Sequence, residues 1–454
     1  MKALLLTHGS RGDVQPFAAL AAALTDAGHE VVVAAPTSSA AIADPFCARV
    51  IPLDDGTNKL VDDRAAWEAV ERNFRGLRGK RLGLRLLRQN RVAMRRVFGD
   101  LAALGRVLAE EDDVDVVVHQ VNVPGHAIAE LLGVPAVPVC LQPFWVPTPS
   151  HPDPLFPYAL PTALNPASYA TTRTFVRALT GSPARFRREG LGLPRRRFAH
   201  DPLRRPDGTR APVLQAFSRH VLPPRAWYPE PVHTPGFFFL RPRVPWTPPA
   251  DLAGFLAAGE APVYLGFGSM VGSDPARTGQ IVAAALRTAG VRAVVALGRG
   301  GIRPDGLGRD AFCLTQAPHD WLFPRMAAVV HHGGAGTAGA ALAAGRPQVV
   351  CPFMFDQPYF GRRLFALGVA ARPQPLRELT ADGLARAIGD ALEGTAPDRA
   401  RELGELIRAE DGTGHAVKVL EAVTQGSGPV RRSGRGVGTP PGGTRSARRR
   451  CRGR

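Results

Sequence analysis

Apolar positions along the chain follow two rhythms. Short continuous runs rich in Val, Ile, Leu and Ala occupy 2–7, 30–35, 115–119 and 135–139 in the first half, and 262–269, 291–298, 327–332 and 347–352 in the second. Runs of this length without polar alternation are the pattern of strands buried on both faces. Between or after them, apolar residues recur at helical spacing in 15–28, 125–133, 275–289, 335–344, 357–367 and 380–393, several stopping at a glycine such as Gly28 or Gly133. Strands alternating with helices predict an α/β fold with parallel sheets, and the plan occurs twice.

The two halves are separated by a proline-rich passage at 222–252. Proline removes a backbone donor and restricts the residue before it, so an ordered linker is expected there, with neither a helix nor a central strand. The predicted organisation is two facing Rossmann-like domains, 1–240 and 241–425, with a ligand cleft beyond the carboxyl ends of their strands. A chain of 454 residues suits two such units. The remainder, 426–454, holds nine arginines and no acid among Gly, Pro and Ser, and is expected to be a disordered basic tail.

That tail accounts for half of the formal net charge of +18. Specific nucleic-acid binding is therefore not expected, although a polyanion-binding arm stays open. Much of the other excess lies in 71–96 and 185–205. In 71–96 leucines and valines interleave with arginines at helical spacing, so two readings stand: a solvated helix face, or a peripheral contact with an anionic membrane. Five cysteines without a CxxC pair suggest neither a disulfide framework nor a zinc site. No apolar stretch is long enough for a signal-peptide core or a membrane span, and a cytoplasmic protein is expected.

Candidate chemistry gathers at two strand-to-helix turns. VVHHGGAGTAG, from Val329, places glycines where a strand turns into an alanine-rich helix. Unpaired first-turn N–H groups and the positive end of the helix dipole suit a phosphate there. THGSRGDVQP, from Thr7, lacks the GxGxxG pattern, so no nicotinamide or flavin cofactor is expected. It does bring Asp13 to a strand's carboxyl end, either as a helix cap or as a general base. The proline-rich loop 142–161 carries Phe144, Trp145, Phe156 and Tyr158, a candidate apolar wall.

GSRGDVQPFAAL, GHAIAELLGVP, PVYLGFGSM, PHDWLFPRMAAVVHHGGAGTAGAALAAGRPQVVCPFMFDQP and RLFALGVA, in that order, resemble the sterol glucosyltransferase-like branch of the family 1 glycosyltransferases. The same family includes the macrolide and glycopeptide antibiotic enzymes. The resemblance spans about residues 1 to 420. It implies the GT-B fold, an acceptor held by the first domain, a nucleotide sugar held by the second, and inverting transfer to a hydroxyl without a cofactor or metal.

Carried over by residue, the resemblance implies a diphosphate loop with His332, Gly334, Gly336 and Thr337, a sugar-binding pair at Asp356 and Gln357, and Ser269 near the diphosphate. His319 falls in the loop over the base. Gln316 stands where plant members have a stacking tryptophan, and Trp321 is read as core. SRGD implies Asp13 as catalytic base, with Ser10, Arg11 and Gly12 beside the donor. His126, Phe144 and Trp145 are expected on the acceptor side, and His8 and His126 are candidate helpers. A charged His332 would add to the diphosphate's binding, whereas His331 reads as the last strand residue. Asp113 to Asp115 resemble a metal-binding DxD but precede a strand and read as a turn.

The implied reaction moves a hexose from a UDP- or dTDP-sugar to an apolar hydroxylated acceptor. A catalytically silent partner protein and a sugar-nucleotide epimerase of the same fold are the alternatives. Acceptor selection is expected to rest on loops around 60–100 and 142–200.

Overall fold

The computed structural model describes residues 1–56 and 76–426 apart from 112, 157, 159, 182, 225, 269, 271, 299 and 300, and the side chain of Arg78 is likewise outside it. Ser269 and everything after Gly426 therefore lie outside the described residues.

The first sheet consists of β1 (Lys2–Leu6), β2 (Glu30–Pro36), β3 (Arg49–Leu53), β4 (Val116–Gln120), β5 (Ala136–Cys140), β6 (Val213–Gln215) and β7 (Val232–His233). Their spatial order is β3-β2-β1-β4-β5-β6-β7, and every pairing is parallel. The second holds β8 (Val263–Gly266), β9 (Ala293–Ala296), β10 (Ala311–Leu314), β11 (Val329–His331) and β12 (Gln348–Val350), in the order β10-β9-β8-β11-β12 and again parallel. The eight strands expected from apolar runs are all present. β3, β6, β7 and β10 were not anticipated: β3 carries Arg49 and Pro52, β10 a partly exposed run, and β6 and β7 have only three and two residues.

Side chains alternate across the first sheet as its pleat requires. Ala3, Leu5, Val31, Val33, Val116 and Val118 join one core with helix α1 (Arg11–Asp26), whereas Leu4, Leu6, Val32 and Val117 join another with the helix Gly76–Glu111. Both faces are covered, which is why the strands read as unbroken apolar runs.

The linker passage departs from its reading only where it turns helical. β7 lies inside it as an edge strand, where proline is tolerated, and a helix, Ala250–Ala257, begins within it. Two more helices, Ala396–Ala409 and Gly412–Gly426, close the described chain. The last returns to the first sheet: Ala416, Val417 and Leu420 join the α1 core, and Glu421 meets His29 at 2.9 Å. Residues 412–425 thus pack with the first unit, although they follow the second in sequence. The apolar face of this helix is complete only against α1.

Replacing the fully buried Leu420 by alanine should cost about 2–5 kcal/mol, the usual range for a core leucine whose site relaxes only partly. Urea denaturation would measure it. Loss below about 1 kcal/mol would mean that the helix is not part of that core.

Candidate active site

Each sheet reverses its order of growth once, at β1/β4 in the first and β8/β11 in the second. Such switch points leave a crevice at the strands' carboxyl ends, where ligands settle. Both candidate motifs stand at one.

In the first crevice Asp13 occupies the third position of α1, not the preceding loop. Its helix begins four residues earlier than its apolar spacing suggested, because Ser10 and Asp13 form a reciprocal capping box. Asp13 Oδ2 accepts from Ser10 N at 2.9 Å and from Ser10 Oγ at 3.1 Å. Gln120, the last residue of β4, donates through Nε2 to Asp13 Oδ1 at 2.9 Å. Gln120 Oε1 in turn accepts from Thr7 Oγ1 at 3.0 Å and His8 N at 3.1 Å, so the amide has one orientation. Burial raises the Asp13 carboxyl above its ordinary pKa, and the bonds from Ser10 and Gln120 oppose the rise. Gly9 permits this packing: at φ 143°, its missing Cβ would lie 2.3 Å from Asp13 Oδ2. Capping and catalytic readings of Asp13 are therefore compatible, since three donors still leave lone pairs on the carboxylate.

His8 is committed elsewhere. Its ring is buried, Nε2 lies 3.1 Å from Asp54 O, and burial lowers its pKa.

In the second crevice β11 ends at His331, whose buried ring points into the protein. His331 Nδ1 accepts from Gly333 N at 3.0 Å and Nε2 lies 2.8 Å from Gln348 Oε1, which places the proton on Nε2. The residue is a strand end, as expected, and also ties down the glycine turn. Gly333 itself has φ 93°, a backbone that side chains rarely adopt.

His332 faces the opposite way. Its ring sits between Gly268 and Gly334, whose absent Cβ atoms would come within 3.1 Å and 2.5 Å of it. Nδ1 is buried and has no hydrogen-bond partner among the described residues. The expected imidazolium is not supported: burial, with His331 and His319 nearby, pushes the pKa down to about 3, so the ring is neutral at pH 7. The helix Ala335–Ala343 follows with Gly334 at its N-cap and no side-chain cap. Among the described residues the N–H groups of Gly336 and Thr337 have no protein acceptor, and Gly336 is exposed. Open first-turn donors of this kind make the turn a candidate anion cradle.

Asp356 closes the cradle from the side. It accepts a hydrogen bond from Ala335 N–H, and burial together with the charge of Asp13 lifts its pKa to about 7. Asp356 thus lies within electrostatic reach of Asp13 in the first crevice. Arg11, exposed on α1, is likewise close enough to His319 to lower that ring's pKa, after burial, the larger cause, to about 4. His319 stacks on Phe323 with centroids 4.3 Å apart.

Gln357 is also engaged within the protein. It is buried, and Oε1 accepts from Phe353 N at 2.8 Å and Met354 N at 3.1 Å. Only Nε2 is left to reach a ligand. By stapling this turn Gln357 supports Phe355 at φ 53°, a left-handed backbone that costs a non-glycine residue about 1–3 kcal/mol.

The residues expected on the acceptor side are largely enclosed. His126 is buried against His119, with Nε2 3.3 Å from Ala199 O, and burial lowers it to about 3. Phe144 is buried beside a half-buried Trp145 whose Nε1 finds no acceptor among the described residues. Trp321 packs edge-on to Trp246 at 4.8 Å, as core. Asp113 and Asp115 both bind Lys2 at the entry of β1, the end of the sheet away from the crevice. Gln120 escaped sequence reading, and its one signal was an amide closing the apolar run VVVHQ.

A family model described as Erythromycin biosynthesis protein CIII-like, C-terminal domain, matches residues 310–413. A sterol 3-beta-glucosyltransferase of Arabidopsis thaliana is 31% identical over 432 residues, covering 92% of this chain and 65% of the relative. One from Aspergillus clavatus is 32% identical over 439 residues, covering 91% and 29%. The chain thus spans less than two thirds of these relatives' own length. Among solved structures, the glycotransferase of kitacinnamycin aligns with a TM-score of 0.64 at 19% identity, over 93% of this chain and 99% of that one. VinC, solved with dTDP, aligns at 0.62 and 20%, over 94% and 100%. At such identities the structures establish the fold.

Gln120→Leu removes a donor to the charged carboxylate, so the Asp13 titration should move further up. Carboxyl infrared or NMR titration, with Asp13→Asn assigning the signal, would follow it. A downward move would contradict the bonding described.

Proposed function

We propose that this chain is a family 1 glycosyltransferase of the GT-B fold, and that it transfers a sugar, glucose or a related hexose, from a UDP- or dTDP-sugar to a hydroxyl of an apolar acceptor. A sterol, polyketide or lipid natural product fits that description, and a membrane surface is one source of it. Support for the acceptor class comes from the sterol glucosyltransferase relatives, and for the donor class from the dTDP-bound structural neighbour. The observation that carries the reading is the pairing of Asp13 with an open anion cradle across one cleft.

Asp13 takes the proton of the acceptor hydroxyl. Its raised pKa suits a base, because a more basic carboxylate draws the proton more strongly. The freed oxygen attacks the anomeric carbon from the side opposite the diphosphate, and configuration inverts. Charge growing on the departing diphosphate is met by the N–H groups of Gly336 and Thr337, the helix dipole and the His332 ring. The neutral ring serves as a hydrogen-bond donor, and an arriving dianion favours its protonation. Asp356 and Gln357 Nε2 hold the sugar's hydroxyls. Arg11 and His319 flank the donor from the two domains, and no step requires a metal.

Asp13→Asn should lower kcat by about 10²- to 10⁴-fold while leaving nucleotide binding nearly intact, measured by product mass spectrometry and thermal shift with UDP and dTDP. Full turnover in that variant would remove the assignment. The base acts only when ionised, so in the native enzyme kcat/KM should fall on the acid side through the raised Asp13 pKa. That limb should be missing from the residual activity of Asp13→Asn.

His332→Ala should cost about 10²-fold in kcat and weaken nucleoside diphosphates more than monophosphates. Equal weakening of both would place the ring away from the β-phosphate.

A further inference from the structure

The helix Gly76–Glu111 is built in two unlike halves. From Met94 onward it supplies Met94, Val97, Leu101, Ala102, Leu104 and Leu108 to the core of the first domain. From 76 to 93, about 27 Å of helix, no described side chain is buried. The sequence of that outer half and the next turn, 76–99, has eight cations and no acid. Leu77, Arg81, Leu84, Arg88, Val92 and Arg95 recur at three- and four-residue spacing, which places them on one face. Leu77, Leu84 and Val92 are 76%, 58% and 53% exposed there. Lys80, Arg81, Arg85, Arg88, Arg95 and Arg96 are exposed, with no ion pair among the described residues.

The face continues toward the site. Arg91 Nε donates to Ala178 O at 2.9 Å, joining this helix to Ala170–Thr180, which exposes Phe175 and Arg177. Phe175 lies 6.0 Å, ring to ring, from Phe355, the neighbour of Asp356.

We propose that this outer face, centred on Leu77, Arg81, Leu84, Arg85 and Arg88, docks on an anionic lipid bilayer, bringing the cleft rim at Phe175 and Phe355 to the membrane surface. Cations interleaved with exposed leucines fit a phosphate layer above acyl chains. A nucleic-acid backbone would answer the arginines but leave the leucines in water. The docking goes beyond the transfer reaction and stands independently of it.

The test is sedimentation of the full chain with vesicles of phosphatidylcholine alone or mixed with phosphatidylglycerol. Binding is expected only with the anionic lipid, and it should weaken with salt. Each cation near such a surface contributes about fivefold, so Arg81→Gln/Arg85→Gln/Arg88→Gln should lose about a hundredfold. Leu84→Gln should weaken vesicle binding but not binding of a duplex DNA oligonucleotide. Circular dichroism would check that these exposed changes leave the fold intact. Equal binding to both vesicles, an unaffected triple variant, or loss confined to Arg448→Gln/Arg449→Gln/Arg450→Gln would each overturn the proposal. So would DNA competing equally well against vesicles whether or not Leu84 is present.

Discussion

The hydrogen bond from Gln120 to Asp13 spans the crevice where the first sheet changes its direction of growth, and the site is organised around it. Parallel strands bring their carboxyl ends to one edge, and only at a switch point do the following segments diverge to leave space. β1 supplies Asp13 through the first turn of α1, and β4 supplies Gln120 as its last residue. One amide therefore fixes a carboxylate between two diverging elements. The second sheet repeats the device, with Gly268 after β8 and His332 after β11 on either side of its own switch point.

Charge is kept low in the proposed donor cradle. His319, His331 and His332 all have pKa values well below 7, with burial the first cause in each. Neutral rings can be enclosed without the large cost of burying an unpaired charge. What remains positive is fixed in the backbone: two first-turn N–H groups and the helix dipole, which cannot be titrated away. A diphosphate bound as proposed would thus meet preset donors. The charge of Asp13 in turn makes Asp356 harder to ionise, after burial, the larger cause.

Much of the fold was legible because buried parallel strands announce themselves as apolar runs, and the helices at 275–289 and 335–343 matched their spacing closely. β6 and β7 were not, since three and two residues carry no period, nor were β3, interrupted by Arg49 and Pro52, and the partly exposed β10. Asp13 and the glycine turn were readable from their positions beside a strand and a helix. Gln120, Gln357 and the locking role of His331 were not, for a physical reason: an amide's partners come from segments distant in sequence or from a folded-back turn. The charge of His332 was misjudged on the same ground, because burial is a property of the assembled domain.

That an aspartate should be the proposed base follows from this geometry. A carboxylate at the third position of a helix is already drawn to the N-cap donors, so it needs little further help to stay in place. Its weakness as a base at its ordinary pKa is offset by enclosure, which raises it. His8 offers a ring in the loop just before α1, but its Nε2 faces Asp54 O and a Cβ at Gly56 would lie 2.8 Å from Cε1. Freeing that ring would require moving the 54–56 turn, whereas Asp13 keeps unused lone pairs where it stands. The short side chain, capped at one oxygen by Ser10 and braced at the other by Gln120, is therefore the group whose proton affinity the fold itself sets.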